Sequence, residues 1–417
     1  MSKLYDIIKK LCPNGVEYVK LGEVCEIRGR IGFRGYTRRD LVSEPEGAIT
    51  LSPSNIVNGN IVYDKCSYVS WKKYEESPEI MVEIGDVVFT KTASVGKTAY
   101  IESMPKEMTI NPQLVLLKKI KGNSKYLSYI LKTTYFQNEV KKITGVGSVP
   151  NVPQSSLAKI EIPLPPIEVQ NEIVRILDCF TQLEAELEAE LDCRKRQYEF
   201  YRDQLLSFDK ITPPERNNVV WMPITEVFEM RNGYTPSKNK PEYWEGGKIP
   251  WFRMEDIRQN GRILSDSIQH ITMDGVKKGN LFKANSFILA TTATIGEHAL
   301  VIADSLANQR FTNLSVRKSL KDRIIIKFLF HYMFIIDDWC KNNVNISGFA
   351  SVDMNKFKKL EIPIPPIEEQ NRIVAILDRF ESLTTSLQHG LPAEIAARRL
   401  QYEYYRDKLL DFKRKTA

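Results

Sequence analysis

The sequence predicts an α+β fold: two mixed α/β blocks in pseudo-twofold tandem, separated by two long helices that pair antiparallel as a coiled coil. Three features point there. A segment of the first half of the chain recurs in the second. That segment carries apolar residues spaced alternately four and three apart over many turns. The rest of each half breaks into short apolar runs punctuated by Gly, Asn and Pro.

The repeat is the firmest of the three. IEIPLPPIEVQNEIVRILDCF, Ile160 to Phe180, matches LEIPIPPIEEQNRIVAILDRF, Leu360 to Phe380, at 15 of 21 positions with a shift of 200. RKRQYEFYRDQLLSF, Arg194 to Phe208, matches RRLQYEYYRDKLLDF, Arg398 to Phe412, at 10 of 15 with a shift of 204. Fainter matches run backwards. VEYVKLGEVCEIR (Val16 to Arg28) aligns with VVWMPITEVFEMR (Val219 to Arg231), and GDVVFTKTASVGKTA (Gly85 to Ala99) with NSFILATTATIGEHA (Asn285 to Ala299). Each half is therefore a diverged block followed by a well-matched helix: one scaffold carrying two different surfaces.

The first helix follows from spacing. Ile173, Leu177, Phe180, Glu184, Leu187, Leu191, Arg194, Tyr198, Tyr201, Leu205 and Phe208 form a seam in which nine of eleven positions are apolar or aromatic. Pro163, Pro165 and Pro166 cannot lie inside a helix and mark its start. From Glu168 to Phe208 it would reach roughly 60 Å at ~1.5 Å per residue. The second helix begins alike, with Ile373, Leu377, Phe380 and Leu387, and resumes its seam at Tyr402 and Leu409. Between them His389-Gly390-Leu391-Pro392 reads as a helix end and restart. The change of shift from 200 to 204 inserts four residues, a stutter. A longer bundle or an intermolecular coil is the alternative to pairing within the chain. In the blocks, Val87-Val88-Phe89 and Leu114 to Leu117 read as strands, and Phe328 to Trp339 as a helix.

Composition narrows the function classes. The chain has 417 residues, enough for two or three domains, with 42% hydrophobic and 27% charged residues, so it can build a packed core. The net charge of +7 suits a polyanion partner but is shared by many proteins that bind none. Six cysteines without a CxxC pair and four histidines give a zinc site little to work with, and read as reduced thiols. The start has no apolar signal core, and the run Ile324 to Ile336 is too short to span a bilayer. A cytoplasmic protein without a membrane partner is expected.

Two loops carry the chemistry expected of a nucleic-acid contact. Arg28, Arg30, Arg34, Arg38 and Arg39 fall within twelve residues free of acids, interleaved with Gly29, Gly32, Gly35, Phe33 and Tyr36. Guanidinium forks suit phosphates and guanine edges, and glycine admits close backbone approach. The matching stretch of the second half holds Arg231, Asn232, Tyr234, Thr235, Ser237 and Lys238, followed by Arg253, Asp256 and Arg258. A solvated basic loop is the plain alternative for either stretch alone. Their recurrence at equivalent places favours two readers.

Lys91, Thr92, Ser94 and Lys97 form a third candidate, echoed by Thr291, Thr292 and Thr294. GKT at Gly96 to Thr98 resembles the end of a phosphate-binding loop. That loop needs glycine where Lys91 stands, so no ATP site is expected. Asn111-Pro112-Gln113-Leu114 departs from the amino-methyltransferase signature at two positions, and no glycine-rich loop follows a strand. No cofactor, metal or catalytic centre is therefore expected.

These segments together resemble the specificity subunit of type I restriction-modification systems. The resemblance rests on LCPNGVEYVKLGEV, GYTPSKNKPEYWEGGKIPWFRMEDI and the two Pro-Pro-Ile-Glu-x-Gln helices, and covers about residues 4 to 412. It implies two target-recognition domains, 1–160 and 211–360, each reading half of a bipartite site in double-stranded DNA. It implies spacer helices within 161–210 and 361–417 that set the gap. It further implies two modification subunits docked on the scaffold, with restriction subunits joining them, catalysis belonging to those partners. Leu183 to Leu191 repeats Leu-Glu-Ala-Glu. In some members, tetrapeptide copy number there sets the unread gap. The sequence is also good helix former in its own right. Alternatives are a system whose partner both methylates and cuts, or a coiled-coil scaffold that reads no DNA.

Overall fold

The computed structural model describes residues 2–30, 35–44, 46–145, 147–208, 218–345, 350–385 and 390–415. Arg34 and Leu387 lie outside them. The chain divides into two compact units. One comprises Met1–Glu188 with Glu394–Ala417, the other Ala189–Ala393.

The first unit is built on an antiparallel four-stranded sheet in the order Glu26–Gly29, Leu114–Lys118, Val87–Thr90, Thr98–Tyr100. The runs read as strands from the sequence lie at its centre, buried on both faces, which is why they are continuously apolar. One face packs on the helices Ser124–Lys132 and Thr134–Ile143, where Phe89 meets Phe136 edge to face. The other closes on a second sheet ordered Met108–Ile110, Gly47–Leu51, Ser67–Ser70, Leu41–Val42.

The second unit repeats the plan. Phe228–Asn232, Phe311–Val316, Ser286–Ala290 and His298–Val301 follow the same order, with Ile263–Leu264 added at the edge. The helix Ile326–Asn342 contains the predicted stretch Phe328 to Trp339. The entry to each unit is also the same. Tyr18–Lys20 pairs antiparallel with Glu161–Pro163, placing Tyr18 opposite Pro163; Val220–Pro223 pairs with Glu361–Ile364, placing Trp221 opposite Pro363.

The long helix runs Ile167–Leu205, ending three residues before Phe208. The second is split into Ile367–Thr385 and Leu391–Leu409, as the Gly-Leu-Pro stretch requires. The units exchange helix portions. The first contains the start of the long helix and most of the last helix; the second contains the end of the long helix and all of Ile367–Thr385.

Pairing is antiparallel in both. In the first unit Phe180 stacks on Tyr405, and Arg399 bonds Glu184 and Glu188. In the second Tyr201 stacks on Phe380. Ile173, Leu177, Ile373 and Leu377 are fully buried. Leu187, Leu191, Tyr198, Leu205, Tyr402 and Leu409 are half-buried.

The Gln of the Pro-Pro-Ile-Glu-x-Gln motif explains its recurrence. Gln170, 3% exposed, donates to the Pro165 carbonyl at 2.7 Å and accepts from Asn123 N–H at 2.9 Å. Gln370, 0% exposed, donates to the carbonyls of Pro365 (2.8 Å) and Arg323 (2.9 Å) and accepts from Ile325 N–H at 2.8 Å. Each ties the start of a long helix to the loop leading into its block's helical layer and satisfies buried backbone groups that would otherwise be orphaned.

Candidate nucleic-acid interface

At one end of each main sheet, loops distant in sequence are laced together by backbone hydrogen bonds. In the first unit Lys91 N–H donates to Gln113 O (2.9 Å), Val152 N–H to Lys91 O (2.8 Å), Ala93 N–H to Pro150 O (3.0 Å) and Asn111 N–H to Leu51 O (2.9 Å). Thr92 Oγ1 adds a bond to Asn151 Oδ1 at 2.8 Å. In the second unit Thr291 N–H donates to Arg310 O (3.0 Å), Val352 N–H to Thr291 O (2.9 Å) and Asn308 N–H to Phe252 O (3.1 Å). Tyr234 N–H donates to Ala307 O at 2.9 Å, and Thr235 Oγ1 to Gln309 Oε1 at 2.5 Å.

Ala93 and Ala293 both adopt left-handed backbone, φ 63° and 64°. That conformation costs a residue with a Cβ about 1 kcal/mol or more. Its recurrence in both copies marks a turn whose shape is held by its surroundings. Gly233 has a different constraint. A Cβ there would stand 2.2 Å from Asn308 O and 2.4 Å from Ala307 O, so only glycine lets Tyr234 and Thr235 lie against the 308–310 turn.

Lys91, Thr92, Tyr234, Thr235, Thr291 and Thr292 join these clusters. Thr294 is half-buried on the same turn as Thr292, and Ser94 is exposed on the turn after Ala93. Tyr234 is wedged in place: Lys277 N–H donates to its hydroxyl at 2.5 Å, and Lys277 Nζ lies 4.5 Å from its ring centre. Burial lowers the Lys91 pKa. Asn232 accepts from Thr312 Oγ1 at 3.0 Å at the exposed end of its strand.

Other candidates stand apart or face inward. Arg30 is 5% exposed and bonds Ile110 O (3.2 Å) and Thr109 Oγ1 (3.1 Å), with Tyr36 under its guanidinium at 5.2 Å. Tyr36 in turn accepts from Thr50 Oγ1 at 3.2 Å. Asp256 is fully buried and accepts from Arg253 N–H (2.6 Å) and Ile268 N–H (2.7 Å), capping the helix Met254–Asn260. Thr291 Oγ1 is spent on Thr312 Oγ1 at 3.1 Å. A single sequence does not distinguish such inward-facing polar groups from outward ones.

Arg28 pairs with Glu26 at 2.7 Å, and Lys119 and Arg28 together hold that carboxylate down to about 2. Arg231 donates to Asn280 O at 2.7 Å and covers the Phe282 ring. Arg253 lies half-exposed, 5.9 Å from the Trp251 ring centre. Arg38 and Arg39 are exposed on a turn whose cap is Thr37 N–H to Asp40. Lys97 reaches Pro53 O at 3.4 Å. Ser237, Lys238 and Arg258 are exposed, with the Ser237 carbonyl accepting from Trp244 Nε1 at 3.0 Å.

Sequence reasoning missed Asn308, Gln309 and Arg310, and passed over Asn111 and Gln113 after rejecting a methyltransferase signature. Extending the repeat alignment to set Asn111-Pro112-Gln113 against Asn308-Gln309-Arg310 would have found them. Clusters of exposed cations, hydroxyls and amides on rigid turns can contact phosphates and base edges.

The model of the type I restriction modification DNA specificity domain matches twice, at residues 13–192 and 217–397. The chain is similar to the type I restriction enzyme EcoprrI specificity subunit of Escherichia coli, 53% identical over 202 residues, 47% of this chain and 50% of that one. It is 40% identical to the EcoR124I/EcoR124II specificity subunit of Escherichia coli over 62% of this chain and 64% of that one. These two matches thus span about half to under two thirds of the relatives' length. A third relative, the putative type I restriction enzyme specificity subunit S.HindORF215P of Haemophilus influenzae, is 30% identical over 85% of this chain and 89% of that one.

The fold resembles a chain from a solved structure on complex assembly and conformational transition of the type I R-M system. There the TM-score is 0.65 at 20% identity, over 95% of this chain and 98% of that one. It also resembles the HsdS subunit of Thermoanaerobacter tengcongensis, with a TM-score of 0.50 at 18% identity, over 96% of this chain and 97% of that one. With the family model matched twice and covering most of its length, the chain belongs to the type I restriction-modification DNA specificity family.

Proposed function

We propose that this chain is the sequence-specific DNA-binding subunit of a type I restriction-modification complex. Each α/β block reads one half of a bipartite site in double-stranded DNA, and the paired helices set the gap. The observation that carries this reading is the loop cluster itself. It occurs once in each unit, on the same backbone lattice, with different side chains. A plain scaffold has no use for two such surfaces.

Chemistry resides elsewhere in this reading. Two modification subunits dock on the scaffold and supply methyl transfer, and restriction subunits join through them. The chain contributes no catalytic group and no cofactor. It works in the cytoplasm; no helix among the described residues is long and apolar enough to cross a membrane. The recognition domains are assigned to 1–160 and 211–360, and the spacer helices to 161–210 and 361–417.

Block exchange tests the assignment. Residues 211–360 are replaced by the matching block of another family member, and the hybrid is expressed with its modification subunit. One half of the methylated motif changes, while the other half and the gap stay. A motif altered in both halves, or in neither, contradicts the division of labour.

A further inference from the structure

We propose that Gln113 and Arg310 are the base-reading residues of the two units, Gln113 facing an adenine and Arg310 a guanine. The assignment rests on the two-reader function proposed above and adds to it the residues that make the readers differ.

The two side chains occupy one place in one turn. Asn111 Oδ1 accepts from Gln113 N–H at 2.9 Å, and Asn308 Oδ1 accepts from Arg310 N–H at 3.0 Å. The Gln113 carbonyl accepts from Lys91 N–H, and the Arg310 carbonyl from Thr291 N–H. The next residues, Leu114 and Phe311, begin the equivalent central strands and are buried. Residues 113 and 310 stand just before those strands, Gln113 half-exposed and Arg310 exposed. Backbone, cap and anchoring bond are shared, and the presented group differs.

That group is suited to reading. Arg310 is exposed, and its guanidinium has no partner among the described residues. A fork left free on a doubly anchored turn has no stabilising task in the fold. Gln113 is half-exposed, and its Oε1 accepts from Asn111 Nδ2 at 3.1 Å, which orients the amide. Arginine pairs bidentately with guanine O6 and N7, and glutamine with adenine N6 and N7. Placing these on anchored turns limits the entropy lost on binding. Hydroxyls and amides at the rim, Thr92 and Asn151 in one unit, Thr235 and Gln309 in the other, are already bonded to each other and hold the turns in shape.

The test compares the wild-type chain, Arg310→Gln and Gln113→Arg. Each is expressed with the neighbouring modification subunit in a host lacking other methylation, and the methylomes are sequenced. Arg310→Gln alters one base-pair position in one half-site, and Gln113→Arg alters one position in the other. Discrimination at the affected pair falls by about tenfold or more. Motifs unchanged in both variants overturn the assignment and leave the two-reader function standing, whereas both changes falling in the same half overturn both. A wild-type methylome without a split motif overturns that function and the assignment with it.

Should Arg310→Gln abolish methylation, binding by the complex to duplexes altered at one base pair each decides the matter. Equal weakening on every duplex marks a phosphate contact and overturns the proposal. Discrimination lost at a single pair sustains it.

Discussion

Phe180 stacks on Tyr405 with ring centroids 5.6 Å apart and planes inclined by 28°. Its counterpart in the other unit is Tyr201 on Phe380, at 5.5 Å and 26°. Phe180 and Phe380 are equivalent in the repeat, as are Tyr201 and Tyr405. Each stack therefore joins the front of one repeat's helix to the back of the other's. A double-mutant cycle of Phe180→Ala and Tyr405→Ala, read by denaturant unfolding, should give a coupling of about 0.5–1.5 kcal/mol. Additive losses would show that the rings merely lie near each other.

Gln370→Ala should destabilise the second unit by about 2–3 kcal/mol, because it leaves the Ile325 N–H and the Arg323 and Pro365 carbonyls without their buried partner. Gln170→Ala strands fewer groups and should cost less. Urea unfolding of the two variants gives the ranking. Equal losses, or none, would mean that water replaces the amide.

His331 stands in the second unit where Tyr129 stands in the first. Tyr129 Oη donates to Asp178 at 2.5 Å, and His331 Nε2 lies 2.9 Å from Asp378. Lys125 and Lys327 approach the same carboxylates at 3.0 and 3.3 Å, and Tyr198 Oη meets His331 Nδ1 at 3.2 Å. Burial lowers the His331 pKa against the pull of Asp378. A histidine depressed on folding binds its proton more weakly in the folded chain. Stability is therefore lost as pH falls below the ordinary value of about 6.5. His331→Tyr should remove part of that loss, with buried His298 retaining the rest. Melting curves from pH 7 to 5 should diverge in the variant's favour; parallel curves would refute the assignment.

Lys132 lies half-buried, donating to Gly59 O at 3.3 Å. Burial first, then Arg406 and Lys125, bring its pKa down from 10.5 to about 8. Below pH 8 both folded and unfolded chains hold the proton, and the folded chain bears the cost of burying it. Between pH 8 and 10.5 the folded chain releases the proton first and that cost falls away. Lys132→Met should therefore raise the melting midpoint at pH 7 by an amount that shrinks as pH approaches 10. A difference independent of pH would point to packing alone.

Arg399 bonds Glu184 and also Glu188, the latter at 2.5 Å. Deleting Glu184 to Leu187 moves Glu188 into the first place and Asp192 into the second. The cation keeps two acidic partners while the helix loses ~6 Å. The variant should fold and methylate a site with a narrower gap and unchanged halves, as read by methylome sequencing. An unchanged gap would separate helix length from spacing.

The helices, their break before Leu391 and the central strands were legible because periodicity and proline chemistry act locally. The loop clusters were not. Lys91, Gln113 and Val152 meet only through backbone bonds across sheet ends, which leave no pattern in residue type. Nor was it legible that Arg30 turns inward to Thr109, or that His331 replaces Tyr129. Both depend on packing between segments far apart in the chain.

The central claim is that one chain carries two readers of different sequence. Methylome sequencing of a host expressing the wild-type chain with its neighbouring modification subunit tests it most directly. The account predicts two short, dissimilar specific halves around a fixed unread gap. A continuous motif, or no methylation that depends on this chain, would contradict it.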